Sequence, residues 1–251
     1  MIEIQVRRSG KNLTGGLTDS RFDEASGRLV REKGSVRDFE VLLNGKPIYA
    51  NSASALSSQP SALSPGASSD TAIFRISDAS WLGPKLAALP DKVRVTLKIS
   101  LEGIQKPYEL EVSLRKQVSK PTVLKPNVSK RDGTLTVTAA KVNRTATSVR
   151  LQLIMKQFKP QSLLMFDFYD DKGRPVEVVT SRGTDDNNKN GDYYYDVILE
   201  PLDTNVKSVT LKPFTPAFEK PGATTGAYKL DANGDLVKKP VKALEMKIPV
   251  R

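Results

Sequence analysis

Apolar residues recur at every second position through long stretches of this chain. Val93, Val95, Leu97, Ile99 and Leu101 alternate with Arg94, Thr96, Lys98 and Ser100, and Leu110, Val112 and Leu114 alternate with Glu109, Glu111, Ser113 and Arg115. Successive side chains of a strand point to opposite faces, so such runs have one dry and one wet face. This predicts antiparallel sheet. The same pattern runs through Leu135/Val137, Val149/Leu151/Leu153/Met155, Leu164/Phe166/Phe168 and Leu244/Met246/Ile248/Val250. The turn-forming stretches RDG (131–133), DDKGRP (170–175) and DANGD (231–235) lie between them and predict hairpins rather than helical crossovers. One stretch breaks the alternation. SDASWLGPKLAALP (77–90) reads as a short helix with Ser77 or Asp78 as its cap and Gly83-Pro84 as an interruption.

Two further stretches set the organisation. Residues 51–70, NSASALSSQPSALSPGASSD, are rich in Ser, Ala and Pro and predict a long mobile loop inside a domain. Residues 116–130, KQVSKPTVLKPNVSK, carry two prolines without alternation and predict a linker. A weak internal repeat supports a boundary there. VTLK occurs at 95–98 and again at 209–212, and each copy is followed by a closing strand, LEVSL at 110–114 and LEMKI at 244–248. The expected architecture is all-β: two β-sandwich domains in tandem, residues 1–118 and 119–251, with at most one short helix in the first.

The absences in the composition narrow the chemistry. The chain has no His and no Cys. That removes the usual general base, the Ser-His-Asp triad, thiol nucleophiles, zinc–thiolate sites and disulfides. No Gly-rich phosphate loop or nucleophile elbow stands out, so the chain is expected not to be an enzyme and to use no cofactor. No run of 18 apolar residues and no charged-then-apolar start is present, so these residues are expected neither to span a membrane nor to carry an export signal. The formal net charge of +11 is spread along the chain with no polybasic tail. Basic residues mostly occupy the wet positions of strands, as in RVTLK (94–98). Aromatic residues make up 6% of the chain, and the densest group, Tyr193–Tyr195, lies in an acidic stretch, which argues against a single-stranded nucleic-acid groove. A solvated basic surface, or one working beside an anionic polymer such as a bacterial cell wall, fits better.

Four motifs offer candidate chemistry, and none is assigned a catalytic, cofactor or metal role. Asp186, Asn188, Asn190 and Gly191 fall at the positions that open a calcium loop, yet the twelfth position is Val197 where a bidentate Glu is needed, and Lys189 weakens the field. The stretch after Gly191 alternates as a strand, with Tyr193 and Tyr195 inward and Tyr194 and Asp196 outward. Asp167, Asp170 and Asp171 offer a carboxylate cluster for acid–base work, but YDDKG reads as a hairpin turn. The lone Trp81 is expected to bury its ring. NLT (12–14), NVS (127–129) and NRT (143–145) fit the glycosylation pattern, which occurs readily by chance.

DGTLTVTAAKVNRTATSVRLQL (132–153), FDFYDDKGRPVE (166–177), GDYYYDVILEPLDTNVKSVTLKPF (191–214) and KALEMKIPVR (242–251) occur in an order that resembles the extracellular C-terminal domain of anti-sigma-factor-like membrane proteins of Bacillus-type Gram-positive bacteria. FEVLLNGKPI (39–48) and the strands at 89–116 resemble the companion domain that precedes it. The resemblance implies immunoglobulin-like sandwiches. It also implies an extracellular setting, tethered to the membrane in a longer protein whose cytoplasmic part binds the sigma factor. It carries over no catalytic residue. The expected function is a non-enzymatic ectodomain that senses or relays a cell-envelope signal, with an envelope protein or an anionic wall polymer as partner and no specific nucleic acid. A wall- or carbohydrate-binding adhesion module is the alternative, and a carboxylate-dependent hydrolase is the third and least favoured.

Overall fold

A computed structural model describes residues 2–10, 13, 15–23, 28–48, 61–83, 88–115, 122–159, 163–185 and 191–251. Every strand pairing in it is antiparallel, and the chain divides into two compact units. The first consists of Met1–Ser80 and Pro84–Gln117; the second of Val118–Arg251 together with Trp81–Gly83.

The first unit contains β1 (Ile2–Arg7), β2 (Arg21–Asp23), β3 (Arg28–Val30), β4 (Val36–Leu43), β5 (Lys46–Ile48), β6 (Ser61–Pro65), β7 (Thr71–Ile76), β8 (Lys92–Leu101) and β9 (Tyr108–Arg115). One sheet has the order β1-β7-β6 and another β5-β4-β8-β9, with β2 and β3 as a separate hairpin. The dry faces of the two larger sheets meet in one core, in which Val41, Phe74, Ile76, Val95 and Leu97 are almost wholly buried. All five alternating residues of β8 are buried, as the pattern predicts.

Three features of this unit depart from the sequence reading. Part of the 51–70 stretch is not a loop. Residues 61–65 form β6, in register with β7 so that Leu63 lies opposite Phe74 and packs on the core, while 51–60 lie outside the described residues. A Ser-rich strand is held mainly by its ladder, which composition alone does not show. The tight turn into β7 is fixed by Thr71, whose Oγ1 donates to the Ser68 carbonyl at 2.8 Å and accepts from the Ser68 amide at 2.9 Å. Any side chain at Gly66 would collide with that hydroxyl. Within the stretch read as a helix over 77–90, the described residues form one 3-10 turn, Ala79–Leu82, with the Asp78 carboxylate accepting from the Ser80 amide as a cap. Proline disfavours helical backbone at the residue before it, which fits the end of the turn at Leu82; residues 84–87 lie outside the described residues. Finally, Leu110 and Val112 of β9 are exposed by 45% and 36% although they alternate like core residues.

The second unit contains β10 (Thr122–Leu124), β11 (Val128–Asp132), β12 (Leu135–Arg144), β13 (Val149–Lys156), β14 (Met165–Asp170), β15 (Val178–Thr184), β16 (Tyr193–Leu199), β17 (Ser208–Pro216), β18 (Lys238–Pro240) and β19 (Met246–Pro249). One sheet has the order β10-β12-β13-β16-β15, with β11 also pairing β12. The other is β14-β17-β18, with β19 also pairing β17. Their inner faces form a core that includes Val137, Leu151, Leu153, Met155, Phe168, Val197, Leu211, Met246 and Ile248. The predicted turns close as expected: Gly133, Gly173 and Gly234 all adopt positive φ, which glycine tolerates without strain. The fold is an all-β sandwich. Both copies of the sequence repeat sit on paired strands, the VTLK segments in β8 and β17 and the closing segments on β9 and β19.

Candidate functional site

The carboxylates of DDKGRP belong to a turn and not to an acid–base pair. Asp170 is buried at the end of β14, and its Oδ1 accepts from the amides of Lys172 and Arg174, each at 2.9 Å, while Oδ2 accepts from Arg174 Nε at 2.7 Å. Burial by itself raises the Asp170 pKa, but the hydrogen bonds from the Arg174 amide, its guanidinium and the Lys172 amide outweigh this and bring it below the usual value. Arg174 also donates to Asp203 at 2.7 Å, and that contact lowers the Asp203 pKa as well. Asp171 accepts from the Lys207 amide, and Asp167 pairs with Lys238. Arg144 donates to the carbonyls of Asp203 and Val206, each at 2.6 Å, so the loop after β16 is pinned by cations on both sides.

A second cluster lies on the outer face of β13 and β16, where alternation predicts only solvated residues. Asp196 is 4% exposed and Arg150 7% exposed. Arg150 donates to both carboxylate oxygens of Asp196, Nε at 2.7 Å and a terminal nitrogen at 2.6 Å, in a bidentate pair. The cover is Trp81. Its ring lies 4.4 Å from the Arg150 guanidinium and 4.3 Å from Lys141 Nζ, and its carbonyl accepts from Gln152 Nε2. Trp81 is buried as expected, with cations against its ring. Sequence reasoning placed Asp196 on the wet face and did not single out Arg150. The available signal was an acid and a base at outward positions of two strands, beside a lone aromatic whose partner is far away in sequence.

The tyrosines follow their phase. Tyr193 and Tyr195 pack on the core, against Phe158 and Phe166 respectively, whereas Tyr194 points to the opposite face of its strand. Burial pushes the Tyr195 pKa up, which suits a phenol donating to Ser181 at 2.8 Å. Residues 186–190 of the calcium-like sequence lie outside the described residues. Asn143 of NRT is half-buried, and its Oδ1 lies buried without a hydrogen-bond partner.

The face that remains open to solvent and carries aligned charge is the outer side of β14, β17, β18 and β19. Cross-strand register sets Asp167 opposite Lys212 and Tyr169 opposite Thr210, with Thr210 opposite Lys247. Lys212 Nζ lies 4.4 Å from the Tyr169 ring, and Lys238 Nζ lies 4.6 Å from the Phe214 ring while pairing with Asp167. Three lysines and one aspartate thus share a surface with aromatic rings beneath the ammonium groups. The one aspartate of this surface is already engaged by Lys238.

Comparison with known protein families matches residues 121–248 to a family of unknown function, DUF5643. The chain belongs to the DUF5643 family. The matched region spans β10 to β19, so the Asp170 turn, the Arg150–Asp196 pair and the lysine face are all features of the DUF5643 region. Trp81, which covers the buried pair, lies outside it. Among solved structures, the chain is similar to the crystal structure of the conserved domain protein from Bacillus anthracis, at 12% identity and a TM-score of 0.46, covering 77% of this chain and 71% of that one. No protein of curated function matches the chain. No helix among the described residues is long and apolar enough to cross a membrane.

Proposed function

We propose that this DUF5643 protein is the outer part of a membrane-anchored, anti-sigma-factor-like protein, and that it senses or relays a cell-envelope signal without catalysing a reaction. Its ligand is an anionic wall polymer, received on the outer face of β14, β17, β18 and β19. The observation that carries this reading is the alignment of Lys212, Lys238 and Lys247 on that face beside Tyr169 and Phe214. Phosphates spaced along a flexible polyol chain meet ammonium groups spaced along strands, and the Tyr169 and Phe214 rings hold Lys212 and Lys238 in place on that face. The net charge of +11 draws such a polymer in. The turn carboxylates do not suit a general acid. A general acid at neutral pH needs a raised pKa, whereas Asp170 and Asp203 are lowered by Arg174 and kept charged.

The test is sedimentation of the protein with isolated Gram-positive cell walls, with and without their teichoic polymers, at low and physiological salt. Binding should vanish when the polymers are stripped and weaken steeply with salt, because exposed charges are screened beyond about 8 Å at physiological ionic strength. Replacing Lys212 and Lys247 together by Glu should weaken binding to native walls while leaving the fold intact. Salt-insensitive binding, or equal binding to stripped walls, overturns the polymer reading.

A further inference from the structure

β9 ends its sheet, so every second residue turns its backbone N–H and C=O outward, away from β8. Unlike a protected edge, it also carries an uncovered apolar row: Tyr108, Leu110 and Val112 are exposed by 52%, 45% and 36%. The strand has no proline, bulge or inward lysine to discourage pairing. What fits this edge is set by its own charges. Glu109 and Glu111 stand near its start and Arg115 at its end, all on the face opposite the apolar row.

We infer that β9 is a homodimer edge, which pairs antiparallel with β9 of a second copy about a two-fold axis at Val112. An outward-facing edge pairs odd positions with odd and even with even, which leaves few registers. The one centred on Glu111 sets that carboxylate against itself. The one centred on Ser113 sets Glu111 against Arg115 but abandons Leu110. The register centred on Val112 alone sets Glu109 against Arg115 of the second copy, twice by symmetry, and extends the apolar row without a break: Leu110 against Leu114, Val112 against Val112, Leu114 against Leu110. A two-fold contact needs a self-complementary surface, and this eight-residue strand supplies one. The inference is independent of polymer binding, which uses the other unit.

The experiment is analytical ultracentrifugation of the full chain over a range of concentrations, with charge-swapped variants. The wild type should show a concentration-dependent monomer–dimer equilibrium. Glu109→Arg or Arg115→Glu alone places like charges opposite one another at two symmetric sites and should weaken the dimer by about tenfold or more. The double swap restores opposite charges and should return the dimer to near wild-type strength, a recovery that a folding defect cannot produce. Val112→Lys, which brings two ammonium groups together on the axis, should leave monomer only. A wild type that stays monomeric to about millimolar concentration, or a dimer indifferent to the single swaps, overturns the inference.

Discussion

The repeated strand pair occurs twice in this molecule with opposite outcomes. In the second unit, β17 and its closing strand β19 set Val209 against Ile248 and Leu211 against Met246, and all four side chains are at most 2% exposed. In the first, β8 and β9 set Val95 against Val112 and Leu97 against Leu110, yet only the β8 members are buried. Sequence pattern and antiparallel pairing are alike, although the second pair is shifted by two residues along its closing segment and is joined through β18. What differs is the cover: β19 lies over the shared core of its sandwich, whereas in β9 Leu114 packs on the core but Tyr108, Leu110 and Val112 stay exposed among the described residues. The outer face of β16 makes the converse point, since Asp196 sits in a wet phase and is buried because Trp81 and Arg150 close over it. Alternation divides a strand into two faces. It does not decide which face the tertiary structure will cover.

The comparison can be broken hardest at the covered charge. Asp196→Ala takes the bidentate carboxylate from the buried Arg150 guanidinium and should destabilise the second unit by about 3–5 kcal/mol, because breaking a buried pair costs far more than the pair is worth. Urea unfolding followed by the fluorescence of Trp81 reads this directly, since it is the only Trp and belongs to that unit. Next come the two closing strands. Met246→Ala should cost about 2–5 kcal/mol as a core truncation. Val112→Ala at low protein concentration should stay within about 0.5 kcal/mol, as a surface change does; circular dichroism follows the first unit. Near-equal costs for these two would erase the difference argued here. A smaller effect is expected from acid. The folded pKa of Asp170 lies below its ordinary 3.8, so its stabilisation is complete above that value and is lost as pH falls from there through the lowered folded pKa. Asp170→Asn should flatten this acid limb of the Trp81-detected stability profile, and an unchanged limb would remove Asp170 as its source.

Much of the fold was legible because period-2 runs survive in most strands. β8, β13, β14 and β19 bury the residues their alternation nominates, and the glycines of the 131–133, 170–175 and 231–235 turns adopt the conformations that turn chemistry requires. The features that escaped depend on contacts distant in sequence. β6 is a Ser-rich strand specified by its ladder to β7. Trp81 belongs with β12 and β13, strands that begin at Leu135 and Val149, far along the chain, so the helical spacing around it misled. The Arg150–Asp196 pair joins residues 46 positions apart on a face that alternation marks as wet. The aspartates of the 170–175 turn were read correctly as turn residues, because Asp followed by Lys-Gly has a local hydrogen-bonding use that needs no tertiary partner.

Amide hydrogen exchange on the full chain, compared between micromolar and near-millimolar protein, tests the central claim most directly. Residues 246–248 of β19 should be strongly protected at both concentrations, since their cover is built into the fold. The outward amides of β9 should exchange quickly in dilute solution and slow as concentration rises and a second copy pairs with the edge. Protection of β9 that is already high when dilute and does not change with concentration would contradict the account, because it would mean that the strand is covered within one molecule.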